Sequence, residues 1–157
     1  PNVLAKQAAA EQGCDEAWQI DHNGYVTEGG ATNAWIVTQG NTVVTRHLDE
    51  GILSGITRLS LREVLAREGY TLEVRPFTVA EAQNAREAFL TSSTNYVMPV
   101  TEIDGKPVGN GHPGLLTLAL RGLLFLRSAS HLLCQSVGGQ MGVVGVTDRG
   151  FQVRGLL

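Results

Sequence analysis

The sequence predicts a mixed α/β (α+β) domain, with short strands in a mixed sheet and helices packed on it. Three observations carry that expectation. Short alternating or β-branched runs occur at 17–20, 34–38, 42–45 and 97–103. Helix-forming runs at 1–12 and 56–67 are each followed by a glycine, Gly13 and Gly69. Between the runs stand tight-turn signals: Asp21-His22-Asn23-Gly24, Gln39-Gly40-Asn41 and Asp104-Gly105-Lys106-Pro107.

Taken in order, Pro1 suits a first helical turn, and Leu4, Ala5, Ala8, Ala9 and Ala10 favour helix up to Gln12. Ala17-Trp18-Gln19-Ile20 alternates as a strand, with Trp18 expected in the core. Tyr25-Val26-Thr27-Glu28 alternates again, meets Gly29 and Gly30, and resumes as the apolar run 34–37, where Trp35 is also a core residue. Glycines at that bend allow a positive φ or the close approach of another group. Next come the β-branched run 42–45 and a connector with Asp49, Glu50 and Gly51. A helix then starts with Ser54 or Gly55 near its cap, its apolar face supplied by Ile56, Leu59, Leu61, Val64 and Leu65. Residues 71–77 read as a strand, and Thr78-Val79-Ala80-Glu81 has the form of a capping box opening a short helix to about Ala85. Strands are expected at 87–91 and 97–103, and a last, apolar helix at 115–127. The glycine-rich end, with few charges and no period, reads as a weakly ordered extension, so two parts are expected: 1–126 and a tail, 127–157.

Composition excludes several function classes. With 157 residues, 43% hydrophobic and 17% charged, the chain is an ordinary globular one with room for a sizeable core. A net charge of −3 gives no electrostatic case for nucleic acid or an anionic membrane. The most apolar stretch, 115–133, is interrupted by Arg121, Arg127 and His131, which argues against a membrane span. Cys14 and Cys134 are too few for a disulfide framework and read as free, buried thiols of a reducing compartment, hence a cytoplasmic location. His22, His47, His112 and His131 lack metal-binding spacing, so no metal site is expected. No phosphate loop of the GxxxxGK type and no G-x-S-x-G elbow occurs. The first residue is not Met and no basic-then-apolar leader is visible, so the chain reads as a fragment or a processed product.

Three features could form one site. Glu28 sits on a glycine bend, where a carboxylate could pair with a cationic ligand atom or simply face solvent. Gly55-Ile56-Thr57 opens a helix, where unpaired amides and a hydroxyl attract an anion. Thr91-Ser92-Ser93-Thr94 is a hydroxyl-rich run where a strand gives way to a loop. Each alone is an ordinary structural feature; together they fit a phosphorylated cofactor with a ring nitrogen.

The same residues carry a resemblance. Val26-Thr27-Glu28-Gly29 with Asn33, then Leu48-Asp49, Gly51-Ile52-Leu53 and Gly55-Ile56-Thr57-Arg58, then Phe89-Leu90-Thr91-Ser92-Ser93-Thr94 with Pro99-Val100 and Ile103-Asp104-Gly105, resemble the fold-type IV (class IV) pyridoxal-phosphate-dependent aminotransferases. Within them the likeness is to the C-terminal, cofactor-holding domain of D-amino acid (D-alanine) transaminases, over about residues 1–117. The resemblance implies pyridoxal 5′-phosphate as cofactor, with an amino group exchanged between a D-amino acid and a 2-oxo acid. It makes Glu28 the partner of the pyridine nitrogen, keeping it protonated. Ile56, Thr57 and Ser93 become phosphate ligands, Leu53 packs against the ring, and Thr32 lies near cofactor and substrate. Gly30 and Ala31 stand where the family has serines. The family's catalytic lysine falls just before the position of Pro1, and neither Lys6 nor Lys106 matches it, so the 157 residues alone are expected to be inactive. The resemblance further implies a homodimer for the full-length protein. Branched-chain aminotransferase and aminodeoxychorismate lyase are alternatives that share the site; a non-catalytic remnant or interaction module is the alternative of another class.

Overall fold

The computed structural model describes residues 2–48, 52, 54–133 and 151–156. Among these residues it is a mixed α/β structure built on one nine-stranded sheet. Helix α1 (Asn2–Glu11) leads into β1 (Glu16–Ile20), β2 (Val26–Gly29), β3 (Asn33–Val37) and β4 (Val43–Thr45). Then follow α2 (Ile56–Arg67), β5 (Leu72–Val74), α3 (Val79–Gln83), β6 (Glu87–Ser92), β7 (Tyr96–Ile103) and the two-residue β8 (Lys106–Pro107). The long α4 (Leu115–Leu133) and β9 (Phe151–Leu156) complete the described chain.

The strand order is β2-β1-β9-β7-β6-β3-β4-β5, with β8 beside β7. The pairs β1–β9, β7–β9 and β4–β5 are parallel, and the rest are antiparallel. This order forces the sheet to curl. Strands β2 and β3 lie five positions apart, which in a flat sheet is about 24 Å. Yet only residues 30–32 join them, a link of at most about 15 Å. The six strands from β2 to β3 therefore bend into a near-ring, closed at the glycine bend by the 2.7 Å bond from the Gly29 amide to the Thr32 carbonyl.

Period-two alternation divides the core into two layers. Ala34 and Ile36 of β3, with Ala88 and Leu90 of β6, join Trp18, Val26, Phe77 and Ile103 on one face. Trp35, Val37 and Phe89 point the other way, against Leu61, Val64 and Leu65 of α2 and Leu120 and Leu124 of α4. All five residues of β3 are buried, as both faces of the strand are covered. Both tryptophans lie in the core as expected, Trp18 edge-on to Phe77 and Trp35 stacked on Phe89 with centroids 5.7 Å apart.

Several expectations are corrected. The buried stripe of α2 is Thr57, Arg58, Leu61, Val64 and Leu65, whereas Ile56 and Leu59 are exposed. Steps of one, three and four residues along one helical face produce that stripe, so a polar Thr and Arg displace two apolar side chains from it. The strand expected at 71–77 is only Leu72–Val74, before Pro76 withdraws a ladder donor. In the expected capping box, Thr78 Oγ1 accepts from the Glu81 amide, but the Glu81 carboxylate pairs with Arg75. Cys14 is free but only half-buried; Cys134 lies outside the described residues. The helix expected to end at 127 runs on to Leu133, through the expected boundary between 126 and 127. Phe151–Leu156, placed in a weakly ordered tail by the sequence, pairs as a strand with both β1 and β7. Residues 134–150 of that tail lie outside the described residues.

Candidate functional site: a cleft at the glycine bend

The closing bend of the ring forms one wall of a cleft of about 400 Å³. Glu28, Gly30, Ala31, Thr32 and Asn33 line it from the β2–β3 connection; Gly55, Ile56 and Thr57 line it from the start of α2; Thr91, Ser92 and Ser93 line it from the end of β6. Strand pairing brings the three segments together. Asn33, the first residue of β3, is the antiparallel partner of Thr91. The Thr57 hydroxyl donates to the Ser92 carbonyl at 2.9 Å and ties α2 to the end of β6.

Each wall has a physical cause. The glycines of the bend are set by close approach, since neither has a positive φ. A Cβ on Gly29 would stand 2.0 Å from Thr32 Oγ1, and one on Gly30 would stand 2.7 Å from Lys6 Cγ. Glu16, at the start of β1, reaches under this bend: its Oε1 accepts from the Gly30 and Ala17 amides at 3.2 and 3.0 Å, and its Oε2 from Thr32 Oγ1 at 3.3 Å. At the second wall Gly55 is the N-cap of α2 and no side chain caps the helix. Its first-turn amides, those of Ile56 and Thr57, have no acceptor within the helix and carry the positive end of its dipole. At the third wall Trp35 Nε1 donates to Thr91 Oγ1 at 2.9 Å and fixes that hydroxyl from behind.

Behind the start of α2 lies a buried cation. Arg58 is 1% exposed, with its guanidinium carbon 5.7 Å from the centre of the Trp35 ring and Nη2 donating to the Arg46 carbonyl. Its Nε and Nη1 have no hydrogen-bond partner. Burial, and secondarily the charge of Arg62, push its pKa below the ordinary arginine value.

Of the residues singled out by sequence, Glu28, Thr32, Ile56, Thr57 and Ser93 converge on this one cleft. Leu53 lies outside the described residues. Glu28 is 8% exposed and so faces the cleft from a largely buried position. The Thr57 hydroxyl, expected to hold phosphate, donates its hydrogen bond to the Ser92 carbonyl, which leaves the Thr57 amide as the donor toward the cleft. Nothing local in the sequence assigns a role to Glu16 or Arg58, and Thr91 stands there only as one of a run of hydroxyls. The available signal was a polar residue at the end of an apolar strand (Glu16, Thr91) or inside a helical stripe (Arg58). Among the described residues no group of three or more His, Cys, Asp or Glu could hold a metal, and no helix is long and apolar enough to cross a membrane.

Comparison with known proteins places this geometry in a family. The family described as amino-transferase class IV matches residues 1–103. The D-alanine aminotransferase of Bacillus licheniformis is 41% identical over 116 residues, covering 74% of this chain and 40% of that protein. A probable branched-chain-amino-acid aminotransferase of Aquifex aeolicus (strain VF5) is 38% identical over 125 residues, covering 79% and 40%. Among solved structures, the branched-chain aminotransferase of the thermophilic archaeon Thermoproteus uzoniensis with norvaline superposes with a TM-score of 0.73 at 31% identity, covering 78% of this chain and 40% of that one. The chain thus spans about two fifths of the length of these two curated relatives. On the family match and the shared fold, this chain belongs to the class IV aminotransferases.

Proposed function

We propose that the cleft holds pyridoxal 5′-phosphate and that the chain is the cofactor-holding part of an aminotransferase acting on a D-amino acid and a 2-oxo acid. The observation that carries this is the convergence on one cleft of a buried carboxylate, an uncapped helix start and a hydroxyl-bearing strand end. An anion is held by amides at a helix start and a protonated pyridine nitrogen by a carboxylate, so the donor set fits the cofactor's two ends. When bound, the cofactor supplies an electron sink for the substrate carbanion. The amides of Ile56 and Thr57, with Ser93, would bind the phosphate. Glu28 would hold a proton on the ring nitrogen, and Thr32 and Asn33 would orient the group from the bend side. Leu53 is proposed to pack against the ring. The full-length protein is proposed to be cytoplasmic and a homodimer.

Two experiments test this reading. The 157-residue chain should bind pyridoxamine 5′-phosphate, and Glu28→Gln should weaken that binding about tenfold through loss of a charge-assisted hydrogen bond. Full-length protein containing this chain should transfer nitrogen from D-alanine to 2-oxoglutarate. A preference for L-leucine would favour branched-chain aminotransferase instead, a reading supported by the Aquifex relative and the Thermoproteus structure. Pyruvate release from aminodeoxychorismate would favour the lyase. Failure of wild type to bind pyridoxamine 5′-phosphate, or an unchanged affinity in Glu28→Gln, would refute the assignment of the cleft.

A further inference from the structure

Glu16 is 4% exposed, an uncommon position for a carboxylate, and its hydrogen bonds go to none of the anion-binding groups of the cleft. Its two oxygens instead accept three hydrogen bonds. One comes from its own neighbour, the Ala17 amide; the other two come from the bend, through the Gly30 amide and Thr32 Oγ1. Two hydrogen bonds of the bend are thus held by one acid of β1. Gly29 and Gly30 bring no side chains, and the internal bond from the Gly29 amide to the Thr32 carbonyl fixes only its ends. The β1–β2 ladder leading into the bend is irregular, with a register shift between the pairs Ile20–Val26 and Trp18–Gly29. A three-residue link that closes a curled sheet would relax if its bracing acceptor were removed. Glu28 lies two residues before that link, at the end of β2, so its carboxylate would move with it.

We propose that Glu16 is a positioning residue: by bracing the bend at Gly30 and Thr32, it sets where the Glu28 carboxylate meets the ring of the cofactor. The inference rests on the cofactor assignment proposed above. It differs from a general structural role in one respect. Loss of Glu16 should damage recognition of the ring and spare recognition of the phosphate, because the phosphate groups belong to α2 and β6, to which Glu16 makes no hydrogen bond. A glutamine should substitute well. Its oxygen can still accept from the two amides, and its nitrogen can donate to Thr32 Oγ1, whose hydroxyl then serves as acceptor.

The test compares two ligands of the 157-residue chain: pyridoxamine 5′-phosphate, and benzyl phosphate, which keeps a phosphate and a ring but lacks the ring nitrogen. Titrations would be followed by tryptophan fluorescence, and the absorbance of bound pyridoxamine 5′-phosphate would report whether its ring nitrogen is protonated. Glu28→Gln is the reference variant and should abolish the preference for the pyridine ligand. Glu16→Ala should lose about tenfold of that preference, with a shift of the absorbance band toward the unprotonated ring, and with benzyl phosphate affinity held within about twofold. Glu16→Gln should restore both readouts. A preference that falls in Glu28→Gln but persists in Glu16→Ala would overturn the role of Glu16 and leave the cofactor assignment standing. Equal weakening of both ligands in Glu16→Ala would reduce Glu16 to a general structural residue and also overturn the proposal. A preference unaffected by Glu28→Gln, or no binding by wild type, would remove the assignment on which it rests.

Discussion

The start of α4 depends on an acid from the sheet, and removing that acid gives the largest stability effect we anticipate. Glu87, the first residue of β6, is 6% exposed. Its Oε1 accepts from the Leu116 amide at 3.1 Å, and its Oε2 from the Thr117 amide at 2.8 Å and from Thr117 Oγ1 at 2.7 Å. It thus does from a distance of 29 and 30 residues what an N-cap side chain does locally. Glu87→Ala removes a cap worth about 1 kcal/mol and strands buried donors of Thr117, at about 2 kcal/mol more. A loss of about 3 kcal/mol, with m near about 2 kcal/mol/M, lowers the urea midpoint by about 1.5 M. The companion substitution is Gly114→Ala. A Cβ there would stand 1.9 Å from Glu87 Cδ, so in wild type the change should be destabilising. In the Glu87→Ala background the obstructing atoms are gone, and the same change should be neutral or stabilising by about 0.5 kcal/mol, from the stiffer unfolded chain. The double-mutant cycle should therefore be strongly non-additive. A midpoint shift under about 0.3 M for Glu87→Ala, or additive costs for the pair, would refute the reasoning.

Other perturbations have defined outcomes. Thr91→Val leaves the buried Trp35 Nε1 without its acceptor and should cost about 1–3 kcal/mol in urea denaturation, whereas Thr91→Ser should cost much less. Thr57→Val unties α2 from the Ser92 carbonyl; inorganic phosphate binding, measured calorimetrically, should weaken several-fold, and Thr57→Ser should retain it. The Arg46 guanidinium, hydrogen-bonded to Asp21 at 2.6 Å, holds that carboxyl below its ordinary value of 3.8. The folded state then binds the proton less tightly than the unfolded state. Its stabilising contribution is full above the unfolded value and is lost as pH falls through the folded one. Asp21→Asn should accordingly be less stable than wild type near neutral pH and should show a shallower loss of stability below about pH 4 in pH-dependent melts.

The parts of the fold and site that were legible in the sequence share a cause. Glu28, Ile56, Thr57 and Ser93 sit at element ends, where glycine, a helix start or a hydroxyl run leaves a local signature, and all line the cleft. Trp18 and Trp35 were readable from strand alternation. What escaped depends on distant partners. Glu16 is one acid at the head of a strand, and only the folded bend gives its oxygens Gly30 and Thr32. Arg58 reads as a solvated helix residue until Trp35 is packed beside it. Ile56 looks apolar enough for the core, but its place in the first turn of α2 leaves it 80% exposed at the cleft. Strand β9 has no period of its own and is defined by its neighbours β1 and β7.

That last pairing has a consequence for how the cleft comes into being. Strand β9 separates β1 from β7 in the sheet, yet it follows every other described element in the chain. As the polypeptide leaves the ribosome, β1 and β2 can pair with each other, but the far edge of β1 waits for a partner more than a hundred residues away, while β3 to β7 can already pair among themselves. The wall carrying Glu28 and the walls carrying Thr57 and Ser93 would then be assembled separately and joined late. Such long-range parallel pairing is a slow step in folding. The exposed edges of β1 and β7 in that interval are where premature association with another chain would begin.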